Sequence, residues 1–130
     1  MADRKWKILL VDDEPSIIKM VGKRLEVEGF EVLIAIDGEE AIRKATTEHP
    51  DVIVLDLMLP KMDGFQVCQT LKKDRAAKDI PIITVFSGRA DDKDKARCRT
   101  LGAAAYVDKG HGATPLVDAI RNLLSHMGDD

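Results

Sequence analysis

The sequence predicts an α/β fold in which five strands alternate with five helices around one parallel sheet. Three observations predict it. Short continuous apolar runs recur at residues 6–11, 30–36, 52–55, 80–87 and 103–107, and such runs suit strands buried on both faces. Stretches with helical spacing of apolar residues separate them. Gly, Pro and Asp punctuate the junctions, as turns and helix ends require.

Size and composition agree. At 130 residues the chain is expected to form a single domain over 1–130. Hydrophobic residues make up 45%, enough for a core, and the 33% charged residues are of mixed sign with a net charge of −3. That mildly acidic balance speaks against a nucleic-acid surface, which needs a basic stripe. The apolar run near the start is too short for a signal segment, and no run is long enough to cross a bilayer. The expected location is cytoplasmic, and Cys68 and Cys98 read as reduced, buried thiols.

Each element follows from its residues. Residues 6–11 form a strand that ends on Asp12-Asp13. Pro15 near the first helical position opens a helix whose apolar residues are Ile17, Ile18, Val21, Leu25 and Val27, and Gly29 stops it. Residues 30–36 form the second strand. Asp37-Gly38 starts a helix with Ala41, Ile42 and Ala45 inward, closed by His49-Pro50. Val52 to Leu55 lead straight into Asp56, and the loop through Pro60 and Asp63-Gly64 carries turn signals. A third helix, with Phe65, Val67, Cys68 and Leu71 inward, frays into a solvated charged tail over 72–79. Residues 80–87 form the fourth strand and end on the Ser87 hydroxyl. A charged helix over 91–101 stops at Gly102. Residues 103–107 form the fifth strand and run into Asp108-Lys109. Thr114 as N-cap, with Pro115 first in the helix, opens the last helix, whose face is Leu116, Val117, Ile120, Leu123 and Leu124.

Parallel strands share a C-terminal edge, so Asp12, Asp13, Asp56, Ser87 and Lys109 should converge there, where open α/β sheets bind ligands. Clustered carboxylates repel one another and need a cation. Oxygen-only ligation suits Mg²⁺, which binds through one or two carboxylates plus a phosphate. A lysine and a hydroxyl beside them can hold phosphoryl oxygens. The set fits one aspartate accepting a phosphoryl group as an acyl phosphate. Taken singly, Asp12-Asp13 reads as well as a helix cap, Ser87 as a cap, and Lys109 as a surface lysine. Tyr106 reads as well as plain packing, and His49, His111 and His126 as helix-end or loop residues.

The motifs "LLVDDEP", "VLDLMLPKMDG", "IPII…SGRAD" and "LGAAAYVDKG", in this order and spacing, resemble the receiver domain of two-component response regulators, in the single-domain form of the chemotaxis regulators. The resemblance implies a flavodoxin-like, doubly wound sheet of order 2-1-3-4-5. It also implies that Asp56 is the phosphoacceptor. Asp13, Asp56 and the backbone carbonyl of Met58 would bind Mg²⁺, and Asp12 would hold it through water. Lys109 would contact the phosphoryl group, and Ser87 and Tyr106 would take the switch positions. A sensor histidine kinase or a histidine phosphotransfer protein would be the donor, and a downstream protein effector would be the partner of the face made by the fourth helix, fifth strand and fifth helix. Phosphorylation-linked homodimers occur in that family. The chain would be no enzyme beyond catalysing its own phosphorylation and dephosphorylation.

Two departures stand out. The fourth-strand segment is one residue longer than the pattern, which a bulge would absorb, and Gly110 replaces the usual Pro after the lysine, within a loop that reads as lengthened. A degenerate receiver working by constitutive contacts, without phosphorylation, is the alternative. A flavin-binding protein is disfavoured because Asp12-Asp13-Glu14 would repel a phosphate. A phosphatase of the aspartate-nucleophile class would want an Asp where Met58 stands.

Overall fold

The computed structural model describes residues 5–59, 62–86, 92–108 and 112–127, with the side chains of 86 and 127 left aside. The elements alternate as expected: β1 (Lys7–Val11), α1 (Pro15–Val27), β2 (Glu31–Ala35), α2 (Gly38–Glu48), β3 (Val52–Asp56), α3 (Gly64–Lys73), β4 (Ile82–Phe86), α4 (Asp92–Thr100), β5 (Ala105–Asp108) and α5 (Thr114–Met127). They form one parallel sheet of order β2-β1-β3-β4-β5. No helix among the described residues is long and apolar enough to cross a membrane.

The apolar runs are continuous because both sheet faces are covered, and successive side chains alternate between two cores. Ile8, Leu10, Val52, Val54, Ile83, Val85 and Val107 face α1 and α5, packing on Val21, Leu25, Leu116 and Ile120. Leu9, Val11, Ile53, Leu55 and Ile82 face the other way, packing on Ala41, Ala45, Val67 and Leu71 of α2 and α3. This alternation decides which way each strand-end side chain turns.

The helix ends follow local chemistry. Asp37 caps α2 by accepting from the Glu40 N–H at 2.8 Å, and Glu40 reaches back to the Ile36 N–H. Asp63 and Gln66 form a capping box on α3. Gly29 and Gly102 end α1 and α4 in the left-handed region, at φ +95° and +96°. At the base of the sheet, Arg121 of α5 donates to Glu28 Oε1 at 2.7 Å, and Arg24 donates to Glu28 Oε2 at 2.9 Å, tying α1 to α5.

Several expectations need correction. Val27 is 73% exposed, because it lies roughly 200° around α1 from buried Leu25. The segment 72–79 is not merely a solvated tail. Asp74 accepts from the Ala76 N–H through its side chain and from Ala77 and Lys78 through its carbonyl, and the resulting turn buries Ala77 completely. α5 begins one residue earlier than expected, because the Ala113 carbonyl accepts its first helical bond from Val117, so Thr114 lies inside the helix rather than capping it. β4 pairs from Ile82 to Phe86 in unbroken register with its neighbours, so this stretch holds no bulge. Cys68 and Cys98 are buried and unbridged, and burial pushes both thiols up from their ordinary value.

Candidate phosphoryl-acceptor site

The register of the sheet builds the site. Ile8 lies opposite Val52 and Val11 opposite Leu55, 44 positions apart in every pair. Asp12 and Asp56 are also 44 positions apart, so the residue that ends β3 and the one that follows β1 arrive at the same level. By alternation, Asp12 continues the Ile8–Leu10 side and Asp56 the Val52–Val54 side, so both turn toward α1 and α5. Their backbones are pinned there: the Asp12 N–H donates to the Ala35 carbonyl at 3.0 Å, and the Leu57 N–H donates to the Val85 carbonyl at 3.2 Å.

Asp12, Asp13 and Asp56 each bring a carboxylate oxygen within 4.8 Å of the other two. Asp12 is 2% and Asp56 3% exposed, whereas Asp13 is exposed to solvent. The two buried carboxylates line a partly open, mostly apolar cavity of about 30 Å³ together with Leu10, Val21, Val54, Val85 and Leu116. Two local hydrogen bonds orient the acids. Asp12 Oδ1 accepts from the Glu14 N–H at 3.0 Å, and Asp56 Oδ1 accepts from the Met58 N–H at 3.0 Å. The first bond closes a turn ahead of α1 and does not cap it: the N-cap is Glu14, no side chain caps this helix, and the cap reading of Asp12-Asp13 gives way to the cluster.

Three carboxylates so close, two of them beside an apolar cavity, form a region of concentrated negative charge that a hard divalent cation would neutralise. The donor set is oxygen only, with one member open to solvent. It fits Mg²⁺, which keeps several waters, better than Zn²⁺, which prefers nitrogen and sulfur.

The structure thus brings Asp12, Asp13 and Asp56 together, with the Met58 backbone directly after them and its side chain 69% exposed. Ser87, Lys109 and Gly110 lie outside the described residues. Tyr106 stands elsewhere. It pairs with Thr84 across β4 and β5, on the sheet face opposite the carboxylates, and is 42% exposed. Lys95 Nζ lies 4.9 Å from its ring centroid, and both residues line a groove with Cys98, Arg99 and Ala103.

Two features of the site leave only a faint mark in the sequence. Thr84 is a fully buried hydroxyl whose Oγ1 donates to the Ala105 carbonyl at 3.3 Å; its signal was a single hydroxyl inside the apolar run of the fourth strand. Gly64 reads in the sequence as part of a turn, but it sits against the backbone of Asp56 and Leu57. A Cβ there would lie 2.5 Å from Leu57 Cα and 2.7 Å from the Asp56 carbonyl oxygen, and its N–H donates to the Leu57 carbonyl at 3.0 Å.

Comparison with known proteins agrees with this geometry. The family model described as "Response regulator receiver domain" matches residues 8–121. The probable transcriptional regulator ycf27 of Cyanophora paradoxa is 45% identical over 124 residues, covering 95% of this chain and 50% of that protein. The chain spans about half the length of the curated relatives it matches. Among solved structures, the chemotaxis protein CheY4 of Vibrio cholerae superposes with a TM-score of 0.85 at 30% identity, covering 92% of this chain and 98% of that one. The receiver domain of the sensor histidine kinase PA1611 of Pseudomonas aeruginosa, described with a magnesium ion coordinated in its active site cleft, superposes with a TM-score of 0.82 at 26% identity, covering 92% and 97%. The sheet order, the strand-end carboxylates and these matches agree, and the chain belongs to the response regulator receiver domain family.

Proposed function

We propose that this receiver accepts a phosphoryl group on Asp56 from a phosphohistidine, in a Mg²⁺-dependent reaction, and acts on its own to switch the binding of a downstream protein. The carboxylate cluster carries the reading: Asp56 is buried and fixed by the Met58 N–H, with two further acids within 4.8 Å. An Asp56 carboxylate oxygen attacks phosphorus, the phosphorus–nitrogen bond breaks, and the electron pair leaves on the imidazole, which takes up a proton. Water later attacks phosphorus, releasing inorganic phosphate and restoring the carboxylate. Asp13, Asp56 and the Met58 carbonyl would hold the metal and Asp12 would hold it through water; when bound, it neutralises the phosphoryl oxygens.

Lys109 and Ser87 are proposed to contact the phosphoryl group. The register of the described residues supports pairing them: β4 and β5 run with a constant offset of 22 positions, from Ile83 opposite Ala105 to Phe86 opposite Asp108, and Ser87 and Lys109 are also 22 positions apart. The proposed output surface is the face of α4, β5 and α5 around Tyr106. A homodimer through that face is one form such output takes. The chain would turn over nothing but its own phosphoryl group, in the cytoplasm, without direct contact to nucleic acid in this stretch.

The test is intact-protein mass spectrometry after incubation with a small acyl phosphate. The proposal expects one added phosphoryl mass with Mg²⁺, and none after chelation or in Asp56→Ala. A wild-type protein that stays unlabelled with Mg²⁺ supports the degenerate reading and refutes this one.

A further inference from the structure

Asp56 and Tyr106 face opposite sides of the sheet, so the state of the acceptor must cross the sheet to reach the α4–β5 groove. We infer that Phe65 and Arg97 are positioning residues that carry the state of Asp56 to α4 through Leu57. This rests on the proposed phosphorylation of Asp56.

The contacts are continuous. Leu57 follows Asp56 and turns to the opposite face, where it is 4% exposed and packs with Cys98 of α4, against Phe65 and Ala103. Gly64 rests directly on the Asp56–Leu57 backbone, too close for any side chain. Phe65 therefore leaves the chain at a point fixed by the acceptor's own peptide. The Arg97 guanidinium lies 4.0 Å from the Phe65 ring centroid, within the range at which a cation is attracted to an aromatic face. On the far side of Cys98, Thr84 bonds the Ala105 carbonyl in β5, next to Tyr106.

The sequence of α4 makes these few contacts matter. Its segment DKDKARCRT buries Cys98 alone. An element with so small a buried face has low local stability, and its position depends on a handful of anchors. Leu57–Cys98 and Phe65–Arg97 originate at the acceptor, and Lys95–Tyr106 belongs to the output groove. A shift of the Asp56–Leu57 peptide on phosphorylation moves both acceptor-side anchors together, because Gly64 leaves no slack between them. Linking two sites this way needs an element with two arrangements that both sites bias, and α4 is that element.

The experiment compares wild type with Arg97→Gln, Phe65→Leu and the conservative Arg97→Lys. Two readouts are taken with and without acyl phosphate and Mg²⁺: labelling by intact mass, and hydrogen–deuterium exchange of the α4 amides. Wild-type α4 is expected to change its exchange by about fivefold or more on labelling, the lower end of ordinary coupling. Arg97→Gln and Phe65→Leu should label to the same extent as wild type, yet lose most of the α4 response, and Arg97→Lys should recover it. Labelled Arg97→Gln and Phe65→Leu proteins whose α4 responds as in wild type overturn the inference while leaving the phosphorylation intact. A wild-type protein that does not label overturns the proposed function, and this inference with it.

Discussion

Substituting Gly64 by Ala tests the close packing against the backbone of Asp56 and Leu57. The new Cβ would sit 2.5 Å from Leu57 Cα, 2.7 Å from the Asp56 carbonyl oxygen and 2.9 Å from Leu57 Cδ2. Carbon–carbon contacts are favourable near about 3.5–4.0 Å, so the α3 entry and the Asp56–Leu57 peptide must separate by roughly 1 Å. Two of the three neighbours are backbone, which cannot swing aside. Overpacking of this kind costs about 1–3 kcal/mol. Ala regains at most about 1 kcal/mol of helix propensity, and less at the first helical position. The net expectation is a loss of about 2 kcal/mol, or roughly 6–10 °C in Tm for a domain of this size. Urea unfolding followed by the fluorescence of Trp6, the single tryptophan, should show a lower midpoint at unchanged slope. Gly22→Ala is the matched control. It lies inside α1 with no atom within 4 Å of its added Cβ, so the same change should stabilise by about 0.5–1 kcal/mol. Gly64→Ala at or above wild-type stability would refute the packing argument.

Other expectations follow from single contacts. Asp63→Ala removes the half of the α3 capping box in which Asp63 Oδ1 accepts from the Gln66 N–H, and leaves the bond from the residue 63 N–H to Gln66; it should cost about 0.5–2 kcal/mol in urea unfolding. The hydrogen bond from Arg121, and then that from Arg24, hold the Glu28 carboxyl below its ordinary 4.5. A depressed carboxyl stabilises the fold above its unfolded value and loses that contribution as pH falls through its folded value. The stability gap between wild type and Glu28→Gln should therefore be widest above about pH 5 and close on acidification; a gap that widens toward low pH would contradict the contact. The exposed Met58 side chain at the mouth of the site should govern water access. Met58→Ala is expected to change the lifetime of the phosphorylated state, followed by loss of the added mass with time, while stability stays within about 0.5 kcal/mol. The two thiols, both buried and raised by that burial, should resist alkylation at neutral pH until the protein is unfolded.

The acidic part of the site was legible because its signal is local. A carboxylate after a β-branched run marks a strand end, and alternation of strands and helices puts all such ends on one edge. The 44-position register that levels Asp12 with Asp56 fixes what that alternation only suggested. Tyr106 was legible as a position but not as a direction. Which face it takes depends on the parity of β5 relative to β3, and a shift of one residue would reverse it. Val27 misled because apolar character near helical spacing does not say where the buried stripe stops. The Ala77 turn was hidden by its charge, since the side chain of Asp74 serves the backbone there rather than solvent. The Phe65–Arg97 stack joins residues 32 positions apart on different helices, and no local pattern encodes such a pair.

The central claim is that Asp56 is the residue that becomes an acyl phosphate. Borohydride reduction of protein treated with acyl phosphate and Mg²⁺, followed by peptide mass spectrometry, reads the position directly, because an aspartyl phosphate is reduced to homoserine with loss of phosphate. The account predicts homoserine at position 56 alone, and only when Mg²⁺ was present. Homoserine at Asp12 or Asp13, or at position 56 regardless of the metal, would contradict it.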